Sequence, residues 1–540
     1  MPACGGKGAP PKGGVGRVMI SGTNIVGAQD GKPVQLRGFV FTAGAWFDTP
    51  PGSSNGDLAN LGFMQSEADF AQIAGWGANL AVLYLNYRWF DDPAGWAFID
   101  EVAGWCRAHH LYLLPSLVVY PGGGQRGGPA FFADPGLKDK ARQFWVDFAT
   151  RYKGHAEFAG YDVLNEPQGV SADEIVSYQT TLVDAVRAVD PDAVIFIEPQ
   201  WGDPYSLRKV PRDGLVYEAH YYLPFYFTGQ LFPWLYGGAI PAGVHYPNTD
   251  ASLVDNVVVA SHANDPATPA GTYDWQAVER TYSIPAATEL IFVKVFSNGD
   301  SGATVYFDDI QAALDGGAFA PIPNGSFETK ADVFPDAAYW QAWIQSTGSV
   351  ARTNDSAADG QWSVKIANSG GWSHYTTHPG VDASGNSIYF LGTTSGLAAN
   401  GASTLRLRWM NKAAGATAGK NGVEVYFCTV SRRSYGKTDL QSDLSTTVRT
   451  PSQTFDAPIL IGEFSPSLVG TRPDGLDWTT DVIDYANANG ISWAYYHYRE
   501  VKDQLRYLGL YEGPFGTATD YATGDAEVLA RVKAGLAPAM

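Results

Sequence analysis

The sequence predicts a barrel of eight parallel β-strands with α-helical crossovers, a (β/α)8 fold, carrying an all-β domain inserted between strands six and seven. Three observations predict it. From about residue 17 the text alternates strand and helix through six units. From about residue 248 to 433 the alternation gives way to short strands and turns. Two further β/α units then follow, completing the eight that close such a barrel. The length agrees, since 540 residues exceed the roughly 250 of a barrel by enough for one more domain.

The elements follow in order. Residues 34–39 read as the first strand, and 66–75 as a helix with Ser66 near its N-cap. Residues 79–83 form a continuous apolar run after Gly77, as a strand buried on both faces should. A helix over 96–109 leads to a third strand at 111–119, closed by Pro121-Gly122-Gly123-Gly124. A helix over 137–152 and a strand over 159–164 make the next unit. A helix over 172–189, ended by Asp190-Pro191, and strands over 193–197 and 215–220 follow. After the interruption, 458–463 is the seventh strand, 478–488 a helix ended by Asn489-Gly490, 491–498 the eighth strand and 526–534 a closing helix.

The interruption reads as a β-sandwich, with strands at 290–296, 304–307, 404–410 and 423–427. Asn298-Gly299-Asp300, Asn324-Gly325 and Gly370-Gly371 punctuate them. The expected domains are a flexible tether at 1–16, a barrel from 17–247 and 434–540, and a sandwich at 248–433.

Composition narrows the partners. The net charge of −19, with no cluster of Lys and Arg, argues against nucleic acid. No run of 18 apolar residues exists to span a membrane. Only 17% of residues are charged while 13% are aromatic, a balance that suits sugars, whose C–H faces stack on rings. The three cysteines, Cys4, Cys106 and Cys428, form no disulfide framework, and Cys106 reads as a buried small apolar residue. Pro2-Ala3-Cys4 resembles the end of a bacterial lipoprotein signal, which would make Cys4 a lipid anchor and the protein secreted or cell-surface. A random tail explains it equally well. The chain is expected to act as a monomer.

The chemistry lies in two carboxylates. Leu164-Asn165-Glu166-Pro167 closes strand four, and Ile461-Gly462-Glu463-Phe464 closes strand seven. Barrels of this kind hold their active sites at the C-terminal ends of the strands, so both glutamates come to one mouth. Glycoside hydrolysis uses such a pair, one acid to protonate the leaving oxygen and one carboxylate to attack the anomeric carbon.

Together with Leu36-Arg37-Gly38, Gly77-Ala78-Asn79-Leu80, Glu218-Ala219-His220-Tyr221-Tyr222 and Trp493, these motifs resemble a clan A glycoside hydrolase, most nearly family 5, the cellulase and mannanase family. The resemblance covers about residues 17–247 and 434–540. It implies a retaining enzyme acting on a β-linked polysaccharide and requiring no cofactor or metal. An endo-β-glucanase for β-1,4 or mixed-linkage glucan is the first reading, a β-mannanase the near alternative, and an inactive glycan-binding protein the reading from another class. The implied roles are Glu166 as acid/base, Glu463 as nucleophile and Asn165 on the 2-hydroxyl of the sugar. His220 and Tyr222 would position the carboxylates, and Trp493 would floor the site. Glu166 would be kept protonated by burial and by its neighbour Glu463.

Two departures stand out. The family's strand-two Arg is missing from Asn79-Leu80-Ala81-Val82, and its strand-three His from Ser116-Leu117-Val118-Val119-Tyr120. Arg37 or Arg88 could stand in for the first. Trp46, Trp89, Trp201 and Trp234 fall in predicted βα loops, where exposed rings would make sugar subsites.

The insertion resembles jelly-roll carbohydrate-binding modules through Pro323-Asn324-Gly325-Ser326-Phe327-Glu328, a typical start, and Tyr306-Phe307-Asp308-Asp309-Ile310, a typical last strand. Their order is reversed, which a circular permutation would explain. In such modules Glu328 and Asp309 often sit near a structural calcium, although solvated carboxylates are the simpler reading. Trp340, Trp343, Trp362 and Trp372 would bind glycan or fill the core. Tethered at both ends, the domain would stand beside the cleft.

Overall fold

The computed structural model describes residues 15–46, 48, 65–122, 128–168, 170–229, 245–263, 268–329, 340–344, 349–368, 370, 372–377, 396–466, 473–500, 510–512 and 525–537. It divides into two compact units. One comprises the chain up to Gln168, Ala172–Tyr222 and everything from Lys437 onward. The other comprises Leu223–Gly436 and the short piece 169–171.

The first unit is a closed parallel barrel of eight strands. In chain order they are Arg37–Phe41, Leu80–Asn86, Tyr112–Val119, Tyr161–Asp162, Ile195–Ile197, Leu215–His220, Ile459–Glu463 and Ser492–Tyr495. Each pairs with its neighbour in sequence, and the eighth closes onto the first through Trp493 opposite Arg37. Every residue of strands two and three is buried, as expected when side chains fill the barrel on one face and helices cover the other. The predicted count of six strands before the insertion and two after it is the observed one.

Local sequence explains the helices. Ser66 caps Glu67–Gly75 by accepting from the Ala68 N–H at 3.2 Å, while Asp69 accepts the Ser66 N–H at 3.0 Å. Asp134 caps Pro135–Tyr152, whose buried face carries Phe144, Trp145 and Phe148. The Trp145 indole donates to the Val163 carbonyl at 2.9 Å. That bond ties a helix to the segment just before Asn165 and Glu166, whose own backbone is held by the Asn165 N–H on the Leu117 carbonyl at 3.0 Å.

The second unit contains two antiparallel sheets of six strands each. Thr304–Leu314 is central in one, between Thr404–Ala416 and Ser363–Ala367; Leu290–Asn298 is central in the other, between Trp372–Thr376 and Asn421–Tyr435. Alternating residues such as Val293, Val295, Phe307, Leu407 and Phe427 form its core. Trp340 is buried there, its indole donating to the Pro323 and Asn324 carbonyls. Trp362 is partly exposed, with the Arg352 guanidinium 3.6 Å from its ring centre. The side chains of Trp343 and Trp372 lie outside the described residues. Glu328 accepts the N–H groups of Gln361 and Trp362, and Asp309 accepts from the Gln311 amide. Among the described residues neither carboxylate joins a cluster of three ligating side chains.

Strand one approaches strand two closely at Gly38. A Cβ there would lie 1.7 Å from the Leu80 carbonyl oxygen. Backbone cannot rotate away as a side chain can, so Gly38→Ala must spread the barrel seam. It is expected to cost at least about 2 kcal/mol, read as a lowered midpoint in denaturant unfolding; an unchanged midpoint would show that the seam yields freely.

Candidate active site

Asn165 and Glu166 lie just past the end of strand four, while strand six ends in His220 and strand seven in Glu463. All four side chains are buried. His220 Nδ1 lies 2.8 Å from Glu166 Oε1 and 3.5 Å from Glu463 Oε2. The Tyr222 hydroxyl donates to Glu463 Oε2 at 2.7 Å. One oxygen each of Glu166 and Glu463 and a nitrogen of His220 all fall within 4.8 Å of one another. Glu166 has a φ of +42°, a conformation uncommon for a residue with a side chain.

A third glutamate completes the group. Glu198 follows strand five and is fully buried. Its Oε2 accepts the Glu166 N–H at 2.8 Å and its Oε1 the Asn165 amide at 3.1 Å. His220 Nε2 lies 3.3 Å from Glu198 Oε2. Asp162, on strand four, accepts from the Ser116 hydroxyl and feels the charge of Glu198. Glu218, also buried, packs against the backbone at Gly462, where a Cβ would meet its Oε1 at 1.7 Å. Glycine one residue before Glu463 is thus a steric requirement of this packing.

Burial dominates the electrostatics. It pushes the Glu463 carboxyl well above the usual carboxylate range. It does the same to Asp162 and Glu218, with help from the charges of Glu198 and Asp162 respectively. For His220 burial acts downward, but the charge of Glu198 and the hydrogen bonds to Glu166 and Glu198 outweigh it, and the imidazole is raised well above its ordinary value. Two triads, Glu166–His220–Glu463 and Glu198–Glu218–His220, bring ligating atoms as close as a metal site would. Both ring nitrogens of His220 already face carboxylate oxygens, which accounts for the clustering without a cation.

The structure separates the remaining sequence candidates. Arg37 lies at the N-terminal start of strand one, at the end of the barrel opposite the carboxylates, and donates to the Gly535 and Ala537 carbonyls at 3.3 Å. Arg88 pairs with Asp48. Neither arginine braces Glu463; among the described residues Tyr222 donates to it, and His220 Nδ1, bonded to Glu166, stands 3.5 Å away. Trp493 pairs with Arg37 in the strand ladder, and its indole donates to Asn487 at the helical layer. It does not floor the carboxylate pair. Trp89 is fully buried against Phe98. Trp46 and Trp201 are partly exposed, while Trp234 and Cys4 lie outside the described residues.

Sequence reasoning missed Glu198, Asp162, Glu218, Tyr84 and Tyr496. Glu198-Pro199 at the end of strand five repeats Glu166-Pro167 at the end of strand four, a signal available in the text. Tyr496 is held by its N–H on the Phe464 carbonyl, next to Glu463. Its ring lies 6.1 Å from that of Tyr84, which lies 6.2 Å from that of Trp46.

Buried paired glutamates at the ends of strands four and seven of a closed parallel barrel define a site of the glycoside-hydrolase class. The particular family comes from comparison. A family model described as Cellulase (glycosyl hydrolase family 5) matches residues 126–275, a stretch that holds Asn165, Glu166, His220 and Tyr222. A β-xylosidase of Phanerodontia chrysosporium is 26% identical over 154 residues, 26% of this chain and 32% of that one. Endoglucanase MaCel5A of Microbulbifer sp. strain ALW1 is 28% identical over 228 residues, 38% of this chain and 39% of that one. The matched stretches therefore span well under two thirds of these relatives' own length. Among solved structures, endoglucanase Cel5A of Thermotoga maritima aligns at 13% identity over 92% of this chain and 96% of that one, with a TM-score of 0.48. The resemblance to family 5 read from the sequence is thus found by the family model and by curated relatives alike. No described helix is long and apolar enough to cross a membrane.

Trp493→Phe should lower stability by about 1 kcal/mol through the lost hydrogen bond to Asn487 and leave KM for an oligosaccharide unchanged. A several-fold rise in KM with unchanged stability would return Trp493 to the substrate.

Proposed function

We propose that the chain is a retaining β-glycanase, an endo-β-glucanase acting on β-1,4 or mixed-linkage β-glucan. The observation that carries this reading is the close approach of Glu166 and Glu463, with one oxygen of each inside 4.8 Å. Retaining enzymes hold their carboxyl groups about 5–5.5 Å apart, whereas inverting enzymes leave room for a water. In the first step the Glu463 carboxylate attacks the anomeric carbon while Glu166 gives its proton to the departing glycosidic oxygen. In the second, Glu166 takes a proton from water, whose oxygen displaces Glu463 from the same carbon. Tyr222 supports the ionised form of Glu463 by donating to it.

The endo-β-glucanase reading is supported by the endoglucanase names among the relatives and by the partly exposed rings of Trp46 and Tyr496, which both pack against the buried Tyr84. The two-sheet unit is read as a carbohydrate-binding-module-like domain, on its sandwich form and the partly exposed Trp362. A polymeric glucan is met outside the cell, so the reading carries export with it.

Assay of the purified protein on β-glucans, xylan and mannan tests the substrate class. Release from mannan or xylan alone would move the specificity, and release from none would favour a glycan-binding protein. Glu166→Gln and Glu463→Gln should each lower kcat by at least about 10²-fold with folding intact. NMR of the first product should show the β anomer; an α anomer would end the retaining mechanism.

Tyr222→Phe removes a donor that favours the carboxylate, so the Glu463 pKa rises further. The acidic limb of kcat/KM should move to higher pH by about 1 unit, the equivalent of about 1.4 kcal/mol. A limb that stays in place would remove Tyr222 from the tuning of Glu463.

A further inference from the structure

Resting on the acid/base reading of Glu166, we propose that Glu198, just past barrel strand five, is a positioning residue that fixes the Glu166 backbone and, by facing the far nitrogen of His220 at ion-pair distance, holds that ring as an imidazolium between carboxylates. Glu198 touches neither the substrate path nor Glu463 in this account; it acts through its neighbours.

The geometry carries the first half. A single buried carboxylate accepts the Glu166 N–H at 2.8 Å on Oε2 and the Asn165 amide at 3.1 Å on Oε1. Its two oxygens therefore hold adjacent residues that leave strand four together. Glu166 departs there with φ at +42°, a conformation that a side-chain-bearing residue keeps only when its surroundings enforce it. The Glu198 carboxylate bonds the amide of the residue in that conformation. Glu198 is itself fixed, since its backbone carbonyl accepts from the buried Gln179 amide at 2.6 Å.

The second half follows from counting protons on His220. Nδ1 stands 2.8 Å from Glu166 Oε1, and Nε2 stands 3.3 Å from Glu198 Oε2. A neutral imidazole has one donor and one acceptor, and an acceptor nitrogen facing an ionised carboxylate is repelled. Both contacts are attractive together only when both nitrogens carry hydrogen. The groups facing the ring are Glu166 and Asp162 from strand four, Glu198 from strand five, Glu218 from its own strand and Glu463 from strand seven. Tyr120, just past strand three, donates to the Asn165 carbonyl. The facing carboxyl groups make the environment anionic, and burial of Asp162 and Glu218 favours their neutral forms. Burial raises the Glu198 carboxyl as well, and the charge of His220 acts against it, so ring and carboxylate favour each other's charged forms.

Glu198→Gln tests this directly. The amide keeps the shape but offers one acceptor instead of two and no negative charge. Removing a negative charge from a coupled cluster makes every remaining proton easier to lose. The basic limb of kcat/KM on an aryl β-glycoside should therefore move to lower pH by about 1 unit or more, with kcat reduced at least about 10-fold. Glu198→Asp should recover the charge and much of the pH profile. A lowered kcat with an unmoved profile would reduce Glu198 to packing and overturn the proposal, as would wild-type behaviour of Glu198→Gln.

A second readout does not depend on hydrolysis. In protein labelled with 15N-histidine, the His220 signal, assigned by its loss in His220→Gln, should show an imidazolium at pH 7 to 8 in the wild type. It should show a neutral ring over that range in Glu198→Gln. A neutral His220 in the wild-type protein overturns the proposal even if the variant fails to fold. Absence of hydrolysis with His220 charged would overturn the assigned activity while leaving the grip of Glu198 on the ring in place.

Discussion

Five carboxyl groups and one imidazole share the buried mouth of the barrel: Asp162, Glu166, Glu198, Glu218, Glu463 and His220. The rest of the site depends on how that density of charge is tolerated. Isolated buried carboxylates are costly, and the ordinary escape is to keep the proton or to find a donor. Both escapes operate here. Asp162 and Glu218 are pushed by burial towards their neutral forms. Glu198 accepts from Glu166 and Asn165 and stands 3.3 Å from His220 Nε2. Glu463 keeps Tyr222 and His220. Two carboxylates of one chemical type thereby come to differ, and that difference is what acid/base work beside a nucleophile requires.

The scaffold makes the arrangement cheap to hold. Strand ends in a parallel barrel point the same way, so residues far apart in sequence meet without any special loop. Glu166 and Glu463 arrive from strands four and seven; Glu198 and His220 fill the strands between them. Strand four pairs over only two residues, yet Trp145 on the Val163 carbonyl and Leu117 under Asn165 continue its support. Glu166 thus leaves a braced segment, although its own φ lies in an unfavourable region.

The barrel was legible because its signals are repetitive. Apolar runs such as 80–85, helices with Ser66 or Asp134 at their caps, and the return of β/α units after residue 434 all follow from burial and capping chemistry. Glu166 and Glu463 were legible because both close apolar strands in strongly marked contexts. Side-chain direction was not. Trp493 and Arg37 sit on barrel strands, as read, but near their N-terminal ends, where Trp493 finds Asn487 and Arg37 finds the closing helix. A difference of three positions along a strand decides which end of the barrel a side chain serves, and sequence boundaries are blurred by about that much. Glu198 was missed for another reason: a lone Glu-Pro reads as a loop, and its value appears only when strand five is laid beside strand four.

The missing strand-two arginine is then less a gap than a redistribution of charge. The residue ending that strand, Asn86, is buried and donates to the Ala45 carbonyl, and among the described residues the nearest arginine in sequence, Arg88, is paired with Asp48 instead of with Glu463. A fixed guanidinium would favour the ionised nucleophile at every accessible pH, because arginine does not lose its proton. In the proposed site the positive charge facing Glu463 is that of His220, which can lose it. The charge of the nucleophile and the charge of the ring are then linked, and both are linked to Glu198 through Nε2. Under the proposed roles the carboxylates keep the ring charged, and a charged ring opposes the burial that raises the Glu463 carboxyl. In such a site the buried acids cannot be exchanged for apolar residues of similar size without altering the pH range over which the mouth is set for chemistry.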